Sequence, residues 1–122
     1  MTKVGEHITL DIIGTTKEYD PSVFEKVIHE IAKAAKVTIL NISKYKFEPQ
    51  GFTILALLAE SHISFHTFPE KGIISFDFYT CGTVAPSIAL DVIKKEIEHK
   101  RIIKKEFNRD TISFYYDNTS TK

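Results

Sequence analysis

Residues 52–82 read FTILALLAESHISFHTFPEKGIISFDFYTCG, and this stretch decides the fold. Phe52 to Ala59 is a run of apolar and β-branched residues, apolar enough to predict a strand buried on both faces. After the junction at Glu60-Ser61, His62 to Phe68 alternates in type. Ile73 to Tyr79 does so again beyond Pro69-Glu70-Lys71-Gly72, a turn tetrapeptide, and the pair predicts a β-hairpin.

Working outward, Val37 to Lys46 predicts a strand that pairs with Phe52 to Ala59 across the turn Glu48-Pro49-Gln50-Gly51. Asp20-Pro21 marks a helix start, because Asp20 can cap free N–H groups and proline suits the first helical position. Phe24, Val27, Ile28, Ile31 and Ala35 then recur at helical spacing to about Lys36. His7 to Ile13 predicts the first strand, punctuated by Gly14. Downstream, Ala85 to Lys100 carries Pro86 in its first turn and repeats Ala89, Val92, Ile93 and Ile97, which predicts a second amphipathic helix. Ile102 to Phe107 and Thr111 to Tyr116 follow as strands around Asn108-Arg109-Asp110. The order β-α-β-β-β-β-α-β-β has too few helices to cover two sheet faces. It predicts an α+β fold, a two-layer α/β sandwich with a mainly antiparallel sheet and two helices on one face.

At 122 residues the chain fits one domain, spanning 1–122. A hydrophobic fraction of 43% beside 26% charged residues excludes both a membrane span and a disordered chain. Sixteen basic and sixteen acidic side chains balance, so no overall field draws the protein to nucleic acid or to an anionic membrane. The cluster Lys100, Arg101, Lys104 and Lys105 reads as a solvated helix end. A single cysteine, Cys81, cannot form an internal disulfide, and Met1-Thr2-Lys3-Val4 lacks a signal peptide's apolar core, which together point to the cytoplasm.

Reactive side chains concentrate between Glu60 and Cys81. On an alternating strand His62, Ser64, His66 and Phe68 share one face, while Ile63, Phe65 and Thr67 share the other. His62 and His66 would lie about 13 Å apart on such a strand, too far for two ligands of one metal. The five glycines are scattered and make no phosphate loop, and the segment lacks the local signatures of cysteine or serine hydrolases. By residue type alone, Cys81 reads as a small hydrophobe, the histidines as hydrogen-bonded strand residues and Ser61 as a strand junction.

The string ESHISFHTFPEKGIISFDFYTCG, Glu60 to Gly82, resembles the signature of the prokaryotic, pyruvoyl-dependent S-adenosylmethionine decarboxylase proenzymes. The similarity lies in the Glu-Ser junction, the histidine five residues beyond the serine, the aromatic-Pro-Glu turn and the closing Thr-Cys-Gly. It extends more weakly to Gly5-Glu6-His7, Leu10-Asp11 and the Phe47 to Gly51 turn.

The resemblance implies cleavage between Glu60 and Ser61, giving a β chain of residues 1–60 and an α chain of 61–122. Ser61 Oγ would attack the Glu60 carbonyl, His66 would assist removal of the Ser61 α-proton, and elimination and hydrolysis would leave a pyruvoyl group in place of Ser61. That ketone would condense with the substrate amine and accept the electrons released with carbon dioxide. Cys81 becomes the candidate acid that reprotonates the substrate Cα. Phe47 and Phe68 correspond to aromatic residues flanking the adenine, and Glu70 to the acceptor of the ribose hydroxyls. Thr53 stands where many relatives carry serine and keeps the hydroxyl that supports processing. Phe68 stands where tryptophan is frequent and keeps the stacking face.

The implied partners are S-adenosylmethionine and a second processed protomer in an (αβ)₂ dimer. The implied setting is aminopropyl donation for spermidine synthesis. Two alternatives remain at this stage: a pyruvoyl-dependent arginine or ornithine decarboxylase of the same family, and an uncleaved, non-catalytic paralogue.

Overall fold

The computed structural model describes residues 3–110. Six strands form one sheet in the order β2-β3-β4-β5-β1-β6, and every neighbouring pair among them is antiparallel. They are β1 (Lys3–Ile13), β2 (Ile39–Lys46), β3 (Phe52–Leu58), β4 (Ser61–Phe68), β5 (Ile73–Thr80) and β6 (Arg101–Asp110). Helices α1 (Pro21–Ala35) and α2 (Ile88–Glu96) pack on one face, as the element order predicts.

Helix α1 begins where its sequence says it should. Asp20 Oδ2 accepts the Ser22 N–H at 3.0 Å and Pro21 opens the first turn. It ends at Lys36, left-handed at φ 61°, where Val37 N–H returns to the Ala32 carbonyl at 2.9 Å. Phe24, Val27, Ile28, Ile31 and Ala35 form the buried stripe. They meet Ile8, Leu10 and Ile12 of β1, Ile54 and Ala56 of β3, Ile63 and Phe65 of β4, and Phe76 and Phe78 of β5. Burial of these side chains is the main force holding the two layers together.

Three expectations change. Helix α2 is shorter than Ala85–Lys100, because its approach is made of i→i+3 turns (Ile88 N–H to Ala85 O at 3.2 Å, Ala89 N–H to Pro86 O at 3.0 Å) and Ile97 is already extended. Strand β6 runs through Asn108 and Arg109, which pair with Glu6 and Gly5, so the predicted turn there is absent. The predicted strand Thr111–Tyr116 lies outside the described residues. Strand β3 is covered on one face only: it alternates, with Leu55 at 50% and Leu57 at 55% exposure. The leucines kept the sequence from revealing which face lacks a neighbour.

The loops at the helix rim are tied by Glu98. Its carboxylate accepts Thr16 Oγ1–H at 2.7 Å, Thr16 N–H at 2.9 Å and Lys17 N–H at 3.0 Å. The Thr16 hydroxyl, followed by the backbone N–H groups of Thr16 and Lys17, holds its pKa below the ordinary glutamate value. Among the described residues no helix is long and apolar enough to cross a membrane.

Candidate active site

Cross-strand register places the reactive residues in rows. At one end of the sheet, on the helix side, Leu58, Ser61, Thr80, Glu6 and Asn108 follow one another across β3, β4, β5, β1 and β6. The next row, on the open face, is Leu57, His62, Tyr79, His7 and Phe107. Toward the other end, also on the open face, lie Tyr45, Thr53, His66 and Ser75.

Ser61 opens β4 directly after a tight turn of two residues, Ala59 and Glu60, that joins it to Leu58, its cross-strand partner. Ala59 N–H donates to the Thr38 carbonyl at 2.9 Å and pins the turn. Glu60 has φ 63°, a left-handed backbone that costs a non-glycine residue about 1–2 kcal/mol. Ser61 is 7% exposed, and its hydroxyl donates to Thr80 Oγ1 at 3.1 Å.

Cys81 follows Thr80 and is exposed, contrary to the small-hydrophobe reading from residue type. Its thiol donates to Tyr79 Oη at 3.8 Å, and the Tyr79 hydroxyl donates to the Val4 carbonyl at 3.3 Å. The neighbouring Cys81 side chain, followed by burial, holds the Tyr79 pKa above its ordinary value. The Tyr79 ring stacks on His62 at 5.8 Å between centroids and carries the Arg109 guanidinium over it at 5.4 Å. It also fills the space a side chain at residue 5 would need: a Cβ on Gly5 would lie 2.3 Å from Tyr79 Oη. His7 meets the same cluster edge-on and shares a 3.0 Å contact with Asp77.

His66 and Thr53 form a second group, with Thr53 Oγ1 3.0 Å from His66 Nδ1. They line a cleft of about 310 Å³ with Phe47, Gln50, Phe68 and Glu70. Phe47 is 49% and Phe68 38% exposed, so both rings keep a face available for a ligand. Gln50 Nε2 donates to Glu70 Oε1 at 3.4 Å, and Glu70 sits in the 3₁₀ turn Pro69–Lys71 closed by left-handed Gly72. Thus Thr53, His66, Phe47, Phe68 and Glu70 come together.

They do not come together with Ser61 and Cys81 in one chain. His66 is five positions along the strand from Ser61, an odd number, so the two side chains leave opposite faces about 16 Å apart at ~3.3 Å per residue. The sequence motif lists them side by side, but strand geometry separates them.

Thr80 is one of the reactive side chains between Glu60 and Cys81, but no role for it, nor the Tyr79 cluster, is visible in the sequence. Thr80 stands inside the Thr-Cys-Gly string, but only the cross-strand register reveals that it faces Ser61. Among the described residues no group of three or more His, Cys, Asp and Glu side chains could hold a metal ion.

Comparison with known proteins places this arrangement in context. Residues 6–110 match the family model described as S-adenosylmethionine decarboxylase. The chain is 40% identical over 111 residues to an S-adenosylmethionine decarboxylase proenzyme of Prochlorococcus marinus (strain MIT 9313), covering 88% of this chain and 89% of that one. A proenzyme of the same description from Methanococcus maripaludis (strain C7) is 36% identical over 115 residues, covering 92% and 94%. The crystal structure of the adenosylmethionine decarboxylase from Aquifex aeolicus VF5 superposes with a TM-score of 0.80 at 32% identity, covering 96% of this chain and 99% of that one.

Proposed function

The chain belongs to the S-adenosylmethionine decarboxylase family, and from that premise we propose that it cuts itself between Glu60 and Ser61 and decarboxylates S-adenosylmethionine at a site shared by two copies. The observation that carries the reading is the junction itself: a buried, hydrogen-bonded serine directly after a left-handed glutamate at φ 63°. Cleavage there frees Glu60 from a backbone conformation that only the intact turn imposes.

The niche fits the group that Ser61 would become. A small three-carbon unit in its place stays out of water against the row of Ile63 and Phe78, with the Thr80 hydroxyl as its polar neighbour. Once formed, the pyruvoyl ketone supplies the carbonyl that amine condensation and loss of carbon dioxide require. Cys81, next to Ser61's cross-strand partner, holds a proton on Sγ for the substrate Cα, and Tyr79 fixes the direction of that thiol. The rings of Phe47 and Phe68 offer faces for an adenine and for a sulfonium cation, while Glu70 offers acceptors for ribose hydroxyls. His66, held by Thr53, serves as the base for the Ser61 α-proton.

Two copies remove the separation along the strands that one chain imposes. A two-fold axis lying between two open faces and crossing the strands carries the His66 end of one chain over the Ser61 end of the other. The exposed Leu55 and Leu57 are the apolar surface such a packing covers. The product then serves as an aminopropyl donor for spermidine synthesis, and an unpaired Cys81 suits a reducing cytoplasm.

Denaturing mass spectrometry tests the cut. The wild type should separate into residues 1–60 and 61–122, the latter trapped by phenylhydrazine, and Ser61→Ala should stay whole; an uncut, untrapped wild type defeats the proposal. Labelled carbon dioxide should come from S-adenosylmethionine and not from arginine or ornithine. For the shared site, His66→Ala should stay uncut alone yet be cut when co-produced with Ser61→Ala, whose His66 is intact. Failure of that complementation, with both chains folded, removes the two-copy arrangement.

A further inference from the structure

Thr80 enters the chemistry above only as a polar neighbour of the group that replaces Ser61, yet it is the partner of the hydroxyl on which all of it depends. Its Oγ1 is buried, at 2% residue exposure, and accepts both the Ser61 hydroxyl at 3.1 Å and the Gly82 N–H at 2.9 Å. A hydroxyl oxygen has two acceptor lone pairs, and these two donors use both. Gly82 is part of the device, because a Cβ there would come within 3.1 Å of Thr80 Oγ1. Register supplies the rest: Thr80 is the direct cross-strand partner of both Ser61 and Glu6, so it is held from either side. Threonine is also stiff at χ1, which keeps its oxygen from swinging away.

We propose that Thr80 is the positioning residue for self-cleavage. Its Oγ1 takes the hydrogen of the Ser61 hydroxyl, so that the lone pairs of Ser61 Oγ remain free for the Glu60 carbonyl carbon. In that step the Oγ–C bond forms, the Glu60–Ser61 C–N bond breaks, and the proton that leaves Oγ ends on the Ser61 nitrogen. No other reactant is consumed. Thr80 acts through Ser61 and touches neither leaving group nor substrate. The inference rests on Glu60–Ser61 being the processed bond.

The experiment follows cutting over time in freshly translated full-length chains, with intact mass as the readout and no substrate present. Thr80→Val keeps the shape and removes the oxygen; it should cut at least about tenfold more slowly than wild type, the scale of one lost buried hydrogen bond. Thr80→Ser restores the oxygen and should recover the rate to within about threefold of wild type by the same scale. Hydroxylamine, which splits esters, should release no additional fragment from Thr80→Val, since the block precedes ester formation. A merely structural defect would slow Thr80→Ser as well. Wild-type cutting by Thr80→Val, no rescue by Thr80→Ser, or hydroxylamine scission of uncut Thr80→Val each overturns the inference. Should the valine variant fail to show a native melt, Thr80→Ala, which removes the hydroxyl without adding bulk, carries the same expectations. An uncut wild type would defeat the processing reading itself, a result distinct from all of these.

Discussion

The two faces of the sheet differ in composition and meet different fates. On the helix side, Ile8, Leu10, Ile54, Ile63, Phe65 and Phe78 are all fully buried beneath α1 and α2. On the open side, Leu55 and Leu57 stand half exposed among His62, Ser64, His66 and Tyr79. The covered face needs only its own chain to satisfy it. The open face combines leucines, which favour contact with another surface, with histidines and hydroxyls that need partners or water, and it is the face on which the proposed second protomer would pack. The helix side holds the two layers together and also carries Ser61 at the end of β4, while the proposed ligand-binding groups lie on the open side.

The strongest way to break this contrast is to cut into the covered side. Phe65 packs between Phe24, 4.7 Å between ring centroids, and Phe76 at 4.8 Å. Phe65→Ala should cost about 3–5 kcal/mol in denaturant unfolding, whereas Leu55→Ala in the isolated chain should change it by about 0.5 kcal/mol or less. Similar losses at both sites would erase the distinction. A smaller effect should follow from Leu57→Lys. The lysine should leave the fold's circular dichroism intact while moving the sedimenting species from two copies to one at micromolar concentration. A Leu57→Lys protein that stays paired would put the interface elsewhere.

The smallest effect concerns the rim of the covered layer. Glu98 has a depressed pKa in the folded chain. Its hydrogen bonds therefore contribute above the ordinary glutamate range, near pH 4.5, and the contribution fades as pH falls through the lower folded value. Melting temperature against pH should accordingly show wild type above Glu98→Gln near neutrality, with the two curves converging in acid. Parallel curves would mean that the charge is not what holds Thr16 and Lys17.

How much of this was legible beforehand depends on the range of each signal. The α1 boundaries follow from local chemistry at Asp20, Pro21 and Lys36, and the β4–β5 hairpin from the turn at Pro69 to Gly72. The end of β6 departs from expectation because Asn108-Arg109-Asp110 has turn-forming residue types, yet pairing with β1 overrides local preference. Likewise α2 is shorter than its periodicity suggests, since the pattern continues into Ile97, whose backbone is already extended. In the site, the motif named Ser61, His66 and Cys81 but could not show that two of them stand at one end of the sheet and the third at the other.

The chain alone therefore determined the local units and the chemical inventory: hydrophobic period, caps, turns and the Glu60–Gly82 string are properties of neighbours in sequence. Only the tertiary structure decided that Ser61 faces Thr80, that Tyr79 fills the space beside Gly5, and that Leu55 and Leu57 lie open. Those outcomes depend on the register between strands, where a shift of one residue sends every side chain to the opposite face.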